Sequence, residues 1–137
     1  MNLFIPSQLK WTERNLTVVQ STNFPNADNT RLTIKGNGKF ELNVRVPSWA
    51  TKGFFVKING VAQKVSAKPG SYLKLSRFWK DGDVVDLQMP FQFHLDPIMD
   101  QQNIASLFYG PILLAAQEPE ARKDWRKITL DAADISK

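Results

Sequence analysis

The feature that most restricts the fold of this chain is a two-residue alternation of apolar and polar side chains. In residues 39–46 every even position is apolar, which is typical of a strand with one buried face. In residues 85–95 every odd position is apolar, and the phase continues across Pro90. Because proline cannot donate a ladder hydrogen bond, this run predicts an edge strand, or two strands that bend at Pro90.

Turn residues separate these alternating runs. Asn59-Gly60 follows one of them, and both residues tolerate the positive φ of a type I′ turn, so residues 54–65 are predicted to form a hairpin. Turn signals recur about every 8–14 residues along the chain, which favours an all-β, antiparallel β-sandwich of jelly-roll type. We expect this sandwich to span residues 1–117. Residues 118–137 are expected to form a charged C-terminal tail that either holds one short helix or is partly disordered.

Composition excludes several classes of function. The chain has no cysteine and a single histidine, His94, so a zinc site of the usual nitrogen and sulfur ligands is not expected. No other cofactor is expected. The net charge of +5 is spread along the chain without a basic cluster, which argues against a nucleic-acid partner. No apolar run is long enough to span a membrane, and the first residues lack the pattern of a signal peptide.

The carboxylates do not form a credible catalytic pair. Asp81, Asp83 and Asp86 are the densest acidic group, and glycosidases usually need two carboxylates that face each other. Asp81 lies in an Asp-Gly turn, while Asp83 and Asp86 have opposite parity and should point to opposite faces. We therefore expect turn-forming roles. His94 should point away from the apolar face of its strand, as a surface or partner-facing histidine.

Seven short segments, taken in order, resemble the β-sandwich region of glycoside hydrolase family 127, the β-L-arabinofuranosidase-like proteins. They are residues 2–7 (NLFIPS), 22–25 (TNFP), 45–50 (RVPSWA), 56–60 (VKING), 69–73 (PGSYL), 79–83 (WKDGD) and 107–111 (LFYGP). The resemblance covers roughly residues 1–117. It implies an (α/α)6 barrel elsewhere in the enzyme that supplies a cysteine nucleophile, a glutamate and cysteine-held zinc. This chain has no cysteine, so none of those roles is carried over.

One segment is apolar on both parities. Residues 104–116 (IASLFYGPILLAA) contain no charged residue, and a strand that is apolar on both faces needs cover on both faces. Phe108, Ile112 and Leu114 share one parity of this segment. The sandwich core covers one face. The second cover must come from the tail, from a catalytic barrel in a longer enzyme, or from self-association, and we expect an exposed apolar patch here.

These observations leave three functional hypotheses. The first is a non-catalytic ancillary domain that packs against the catalytic barrel of a glycoside hydrolase. The second is a carbohydrate-binding module, whose partner would be a plant or bacterial polysaccharide, and the third is an independent enzyme. Trp49 and Trp79 are expected in the core or at a domain interface, with sugar contact as the alternative. The candidate interface or sugar-contact residues are Trp49, Trp79, Phe108, Ile112 and Leu114.

Overall fold

The computed structural model describes residues 1–117 and 135. Within residues 1–117 the elements are β-strands and one short 3-10 turn, Thr12–Arg14, so the predicted all-β class is confirmed. The strands are β1 Ser7–Trp11, β2 Leu16–Thr22, β3 Asn29–Lys35, β4 Gly38–Arg45, β5 Phe55–Ile58, β6 Val61–Ala62, β7 Tyr72–Trp79, β8 Val84–Gln88, β9 Phe93–Ile98, β10 Gln101–Tyr109 and β11 Ile112–Leu113. They fall into two compact units: Met1–Pro90, and a second unit that begins at Phe91.

The first unit is an antiparallel β-sandwich, as predicted. A six-stranded sheet has the order β1-β2-β3-β8-β5-β6, and a two-stranded sheet pairs β4 with β7. The alternating apolar residues of both sheets meet in one core, whose fully buried members include Leu32, Ile34, Val44, Val56, Trp79, Val85, Leu87 and Met89. The jelly-roll arrangement stays a prediction.

The hairpin expected at residues 54–65 is present. Ile58 lies opposite Val61 in the β5–β6 ladder. Asn59 and Gly60 connect the strands with φ values of 51° and 79°, which are the left-handed conformations that the Asn-Gly pair tolerates. Local turn chemistry therefore determines this connection.

The alternating run at residues 85–95 is two strands, and the alternative of one edge strand is wrong. β8 lies between β3 and β5 in the six-stranded sheet, while β9 belongs to a different sheet. Pro90 falls between them, at the end of the first unit. Since Pro90 lies outside both strands, its missing N–H disturbs neither ladder.

The second unit contains an antiparallel sheet with the order β11-β10-β9. Here the expectation of one continuous strand over residues 104–116 is wrong. β10 ends at Tyr109, the chain reverses at Gly110-Pro111, and β11 returns with Ile112 opposite Tyr109. The reversal depends on Gly110, which has a φ of 55° and at which an added Cβ would lie only 2.6 Å from the Phe91 ring. Parity along the sequence therefore does not carry across residue 110.

The predicted division between a sandwich at residues 1–117 and a tail at residues 118–137 stays a prediction. The alternatives for the tail, one short helix or partial disorder, fall on residues that, apart from residue 135, lie outside the described part of the chain.

Candidate functional site

The acidic group that the sequence singles out is used in structural contacts. The Asp81 carboxylate accepts a hydrogen bond from the Gly36 backbone N–H at 2.7 Å. Asp86 pairs with Arg31 on the adjacent strand β3, with Nε and Oδ1 2.6 Å apart. These contacts hold neighbouring turns and strands together, in agreement with the turn-forming role expected for Asp81.

Asp83 is the buried member of this group, at 6% exposure. Its carboxylate accepts hydrogen bonds from the Lys80 backbone N–H at 2.9 Å and from the Asn59 side-chain amide at 2.8 Å. The Asn59 side-chain oxygen in turn accepts from the Val84 N–H. The Lys80 N–H and the Asn59 amide lower the pKa of Asp83 below its ordinary value, because both stabilise the charged carboxylate.

This lowered pKa gives a testable pH dependence. A carboxyl group whose pKa is lower in the folded state stabilises the fold above its unfolded pKa, and this contribution is lost as the pH falls through the folded value. We therefore expect Asp83→Asn to lower the free energy of unfolding by about 1–3 kcal/mol at pH 7, and to reduce its acid dependence below about pH 4. Urea unfolding between pH 7 and pH 2.5 measures both. Asp100→Asn, at an exposed position, is the control; equal effects of the two substitutions would contradict the assignment.

The two candidate tryptophans occupy different environments. Trp79 is fully buried, its Nε1 donates to the Phe40 carbonyl at 3.1 Å, and its ring centroid lies 5.7 Å from that of Phe40. It is a core residue and offers no face to a sugar or a partner. Trp49 is half-buried, and its ring stacks on Phe24 with centroids 6.4 Å apart.

Where the side chains of the β9–β11 sheet are described, one face is formed by apolar residues and the amphipathic Tyr109. Residues opposite each other in an antiparallel ladder share a face. Between β9 and β10 the opposite pairs are Phe93 with Tyr109, Leu95 with Leu107, and Pro97 with Ala105. Ile112 lies opposite Tyr109, and the Leu114 N–H donates to the Leu107 carbonyl. We call this set the apolar face: Phe93, Leu95, Pro97, Ala105, Leu107, Tyr109, Ile112 and Leu114.

The apolar face is substantially exposed. Phe93 is 46% exposed, Leu114 40% and Tyr109 38%, and Ile112 is half-buried. The Phe93 and Tyr109 rings contact each other, with centroids 4.9 Å apart, so they present one aromatic surface. An apolar surface that spans three strands is typical of an interaction site.

Phe108 lies on the opposite face of the same sheet. It faces His94 across the ladder, and the two rings stack with centroids 5.2 Å apart. His94 is half-buried, and among the described residues its buried Nδ1 has no hydrogen-bond partner. Asp96 and Ser106 share this face, so it is mixed. The expectation that both faces are apolar is therefore wrong.

The structure thus brings two of the predicted residues together and separates the others. Ile112 and Leu114 lie on the apolar face, Phe108 lies behind it, and Trp79 lies in the core of the first unit. Phe93 and Tyr109 were missed as site residues. The Gly110-Pro111 turn is the signal that identifies them, because a two-residue loop at this dipeptide places Tyr109 opposite Ile112.

The described part of the chain lacks a metal-binding cluster and a membrane-spanning helix. No group of three or more histidine or acidic side chains there is arranged to hold a metal ion. No helix there has the length and apolar character to cross a membrane.

A family comparison decides what kind of domain this is. Residues 1–91 match the family described as "Beta-L-arabinofuranosidase, GH127 middle domain", which is more than half of the chain. The chain belongs to this family. The resemblance drawn from the seven sequence segments is therefore confirmed. No curated protein sequence matches the chain.

Solved structures place this GH127 middle domain in longer chains. A GH127 β-L-arabinofuranosidase from Geobacillus stearothermophilus T6 is 30% identical, with a TM-score of 0.69, over 81% of this chain and 19% of its own. A structure named only as a glycoside hydrolase is 29% identical, with a TM-score of 0.67, over 77% of this chain and 19% of its own. A further GH127 β-arabinofuranosidase is 23% identical, with a TM-score of 0.66, over 79% of this chain and 20% of its own, a level that shows the fold alone. The GH127 domain thus spans about a fifth of the length of these structures.

Proposed function

We propose that this GH127 middle domain is a non-catalytic ancillary domain of a larger β-L-arabinofuranosidase-like glycoside hydrolase, and that it packs against the catalytic barrel of that enzyme. The observation that carries the proposal is the family match over residues 1–91, together with the fifth of each related chain that the domain covers. A domain of this kind contributes shape and stability to the enzyme and leaves the chemistry to another part of the chain.

The environment of the acidic residues supports a non-catalytic role. Retaining and inverting glycosidases place two carboxyl groups on either side of the scissile bond. In this domain each of the three clustered carboxylates already has a partner. Asp81 accepts from Gly36, Asp83 accepts from Lys80 and Asn59, and Asp86 pairs with Arg31. Such carboxylates stabilise turns and strand pairing, and a substrate would have to displace those partners.

The apolar face supports the choice of partner. Its aromatic residues, Phe93 and Tyr109, are of the type enriched in the centres of protein interfaces. The face has no charged member, so a charged polysaccharide or nucleic acid would gain little from it. A protein surface in the remaining four-fifths of a GH127 enzyme is the partner with matching chemistry.

No observation favours the carbohydrate-binding alternative. That hypothesis depends on Trp49 and Trp79 as sugar-stacking platforms, and Trp79 is fully buried. Trp49 is half-buried in a stack with Phe24. Sugar binding is therefore not proposed.

The proposal predicts no glycoside hydrolysis by this chain alone. Aryl β-L-arabinofuranosides and arabinose-containing polysaccharides, incubated with the purified protein, should give the rate of the buffer blank. The control is an Asp81→Asn, Asp83→Asn, Asp86→Asn triple variant, which should give the same rate. Turnover that survives purification and disappears in the triple variant would overturn the non-catalytic assignment.

A further inference from the structure

The two sheets of the sandwich in the first unit differ in size. Its six-stranded sheet is faced by only two strands, β4 and β7, among the described residues. The inward sides of β1 and β2 extend beyond β4, and Leu9 of β1 is 61% exposed. Apolar side chains on the inner face of a sandwich normally meet a second sheet, so this part of the inner face lacks a facing strand.

An open cleft of about 360 Å³ marks this place. Its lining comes from β1 to β4 together with Met1, and most of its side chains are apolar, among them Leu9, Val18, Leu32, Phe40 and Leu42. Phe40 and Leu42 are only half-buried, although Val44 on the same strand is fully buried. The core is therefore complete at the Val44 end of β4 and open at the Phe40 end.

Met1 already occupies one end of this cleft as a strand residue would. The Arg45 N–H donates to the Met1 carbonyl at 2.9 Å, and the Met1 amino group donates to the Asn43 carbonyl. Met1 thus forms hydrogen bonds to Asn43 and Arg45, the two residues that flank Val44, and this is the hydrogen-bond pattern of a parallel strand pair. Met1 therefore pairs with Val44, and its side chain points towards the core, as that of Val44 does.

No described strand pairs with the rest of this edge of β4, where the Lys39 carbonyl accepts an exposed hydrogen bond from Arg14 Nη1 at 3.3 Å that an added strand would displace. Backbone groups alternate between the two edges of a strand, so Glu41 presents its N–H and C=O on the same edge as Asn43 and Arg45. β7 occupies the other edge of β4. The open edge and the open cleft therefore coincide, which is the geometry that accepts an added strand.

We propose that the open edge of β4 accepts one extended strand that runs parallel to β4, leads directly into Met1 and closes the cleft. The Met1–Val44 pairing fixes its register. The residue before Met1 pairs with Asn43 and points outward, the second residue before it pairs with Leu42 and points into the cleft, and the fourth pairs with Phe40 and also points inward. The second and fourth positions are therefore apolar.

The pairing of Met1 with Val44 fixes the direction of the slot. A strand of a longer GH127 chain that runs into Met1 enters the slot in register and needs no separate binding step, and this chain covers only 19% of the length of two related structures. Burial at this position lowers the pKa of the Met1 ammonium, because the cleft disfavours a charge. An amide nitrogen at the same place carries no charge and still donates to Asn43.

Two extensions of equal composition test the register. Both follow a common Gly-Ser leader: Val-Thr-Leu-Thr before Met1 places the apolar residues at the fourth and second positions, and Thr-Val-Thr-Leu places them at the third and first. Both remove the ammonium from Met1, so charge does not distinguish them. The in-phase extension should raise the thermal unfolding midpoint by about 4–8 °C above the leader alone, and should slow hydrogen exchange of the Glu41 amide at least about tenfold.

The out-of-phase extension should leave both quantities near those of the leader-only protein. Equal stabilisation by the two extensions, or an unchanged Glu41 exchange rate with the in-phase extension, would overturn the proposal. These measurements need no enzyme partner and no turnover. They can therefore contradict the added strand on β4 without contradicting the ancillary function, and a failure of the ancillary function would leave the added strand untouched.

Discussion

Trp79→Ala is expected to lower the free energy of unfolding by about 3–5 kcal/mol, the usual cost of removing a large aromatic side chain from a packed core. Trp79 is fully buried and packs on Phe40. Its loss also leaves the Phe40 carbonyl without the indole N–H that now donates to it. Because small domains are stable by only about 5–15 kcal/mol, this one substitution removes a large fraction of the total.

Trp49→Ala is the matched control. Trp49 is half-buried and its ring stacks on Phe24, so less apolar surface is lost and the expected cost is about 1–2 kcal/mol. Urea unfolding followed by far-UV circular dichroism measures both variants. A larger cost for Trp49→Ala than for Trp79→Ala would contradict the distinction between a core and a peripheral tryptophan.

Phe93→Ser combined with Tyr109→Ser is expected to weaken docking of this domain on its partner at least about tenfold. Interface energy concentrates in a few aromatic and large apolar side chains, and these two form the continuous aromatic part of the apolar face. Each is more than a third exposed, so their replacement should cost the fold much less than a core substitution. A tenfold loss corresponds to about 1.4 kcal/mol of binding free energy.

A second pair of substitutions serves as a control for the general effect of making the protein surface more polar. Val61 is 65% exposed and Phe78 57% exposed, and both belong to the first unit. Val61→Ser combined with Phe78→Ser removes comparable apolar surface, and this pair should leave docking unchanged. Binding of a hydrophobic dye gives a second readout on the domain alone: the apolar-face variant should bind less dye than the control variant.

Local chemistry is what the sequence predicted well. The alternation in β4, β5 and β8 gave the correct buried faces, because one face of each strand meets the core. The Asn59-Gly60 hairpin followed from the φ preferences of two residues. The resemblance spread over seven segments was sufficient to identify the family.

The pairing of the strands into sheets was harder to predict from the sequence. In residues 85–95 the apolar residues stay at odd positions across Pro90, although β8 and β9 belong to different sheets. The alternation shows which side chains share a face of a strand, but it does not show with which strand that strand pairs. In residues 104–116 the turn at Gly110-Pro111 moved Ile112 to the side of Tyr109. The incomplete two-stranded sheet depends on the pairing order of distant strands, which no local pattern contains.

Docking is the measurement that tests the ancillary role most directly. The chain is titrated, by calorimetry, into a GH127 β-L-arabinofuranosidase from which its own middle domain has been removed. We expect a one-to-one complex, a dissociation constant at least about tenfold higher for the Phe93→Ser, Tyr109→Ser variant, and an unchanged constant for the Val61→Ser, Phe78→Ser control. The absence of a complex with the unsubstituted chain, or equal affinity of the apolar-face variant, would contradict a domain that acts by packing on the catalytic part of the enzyme.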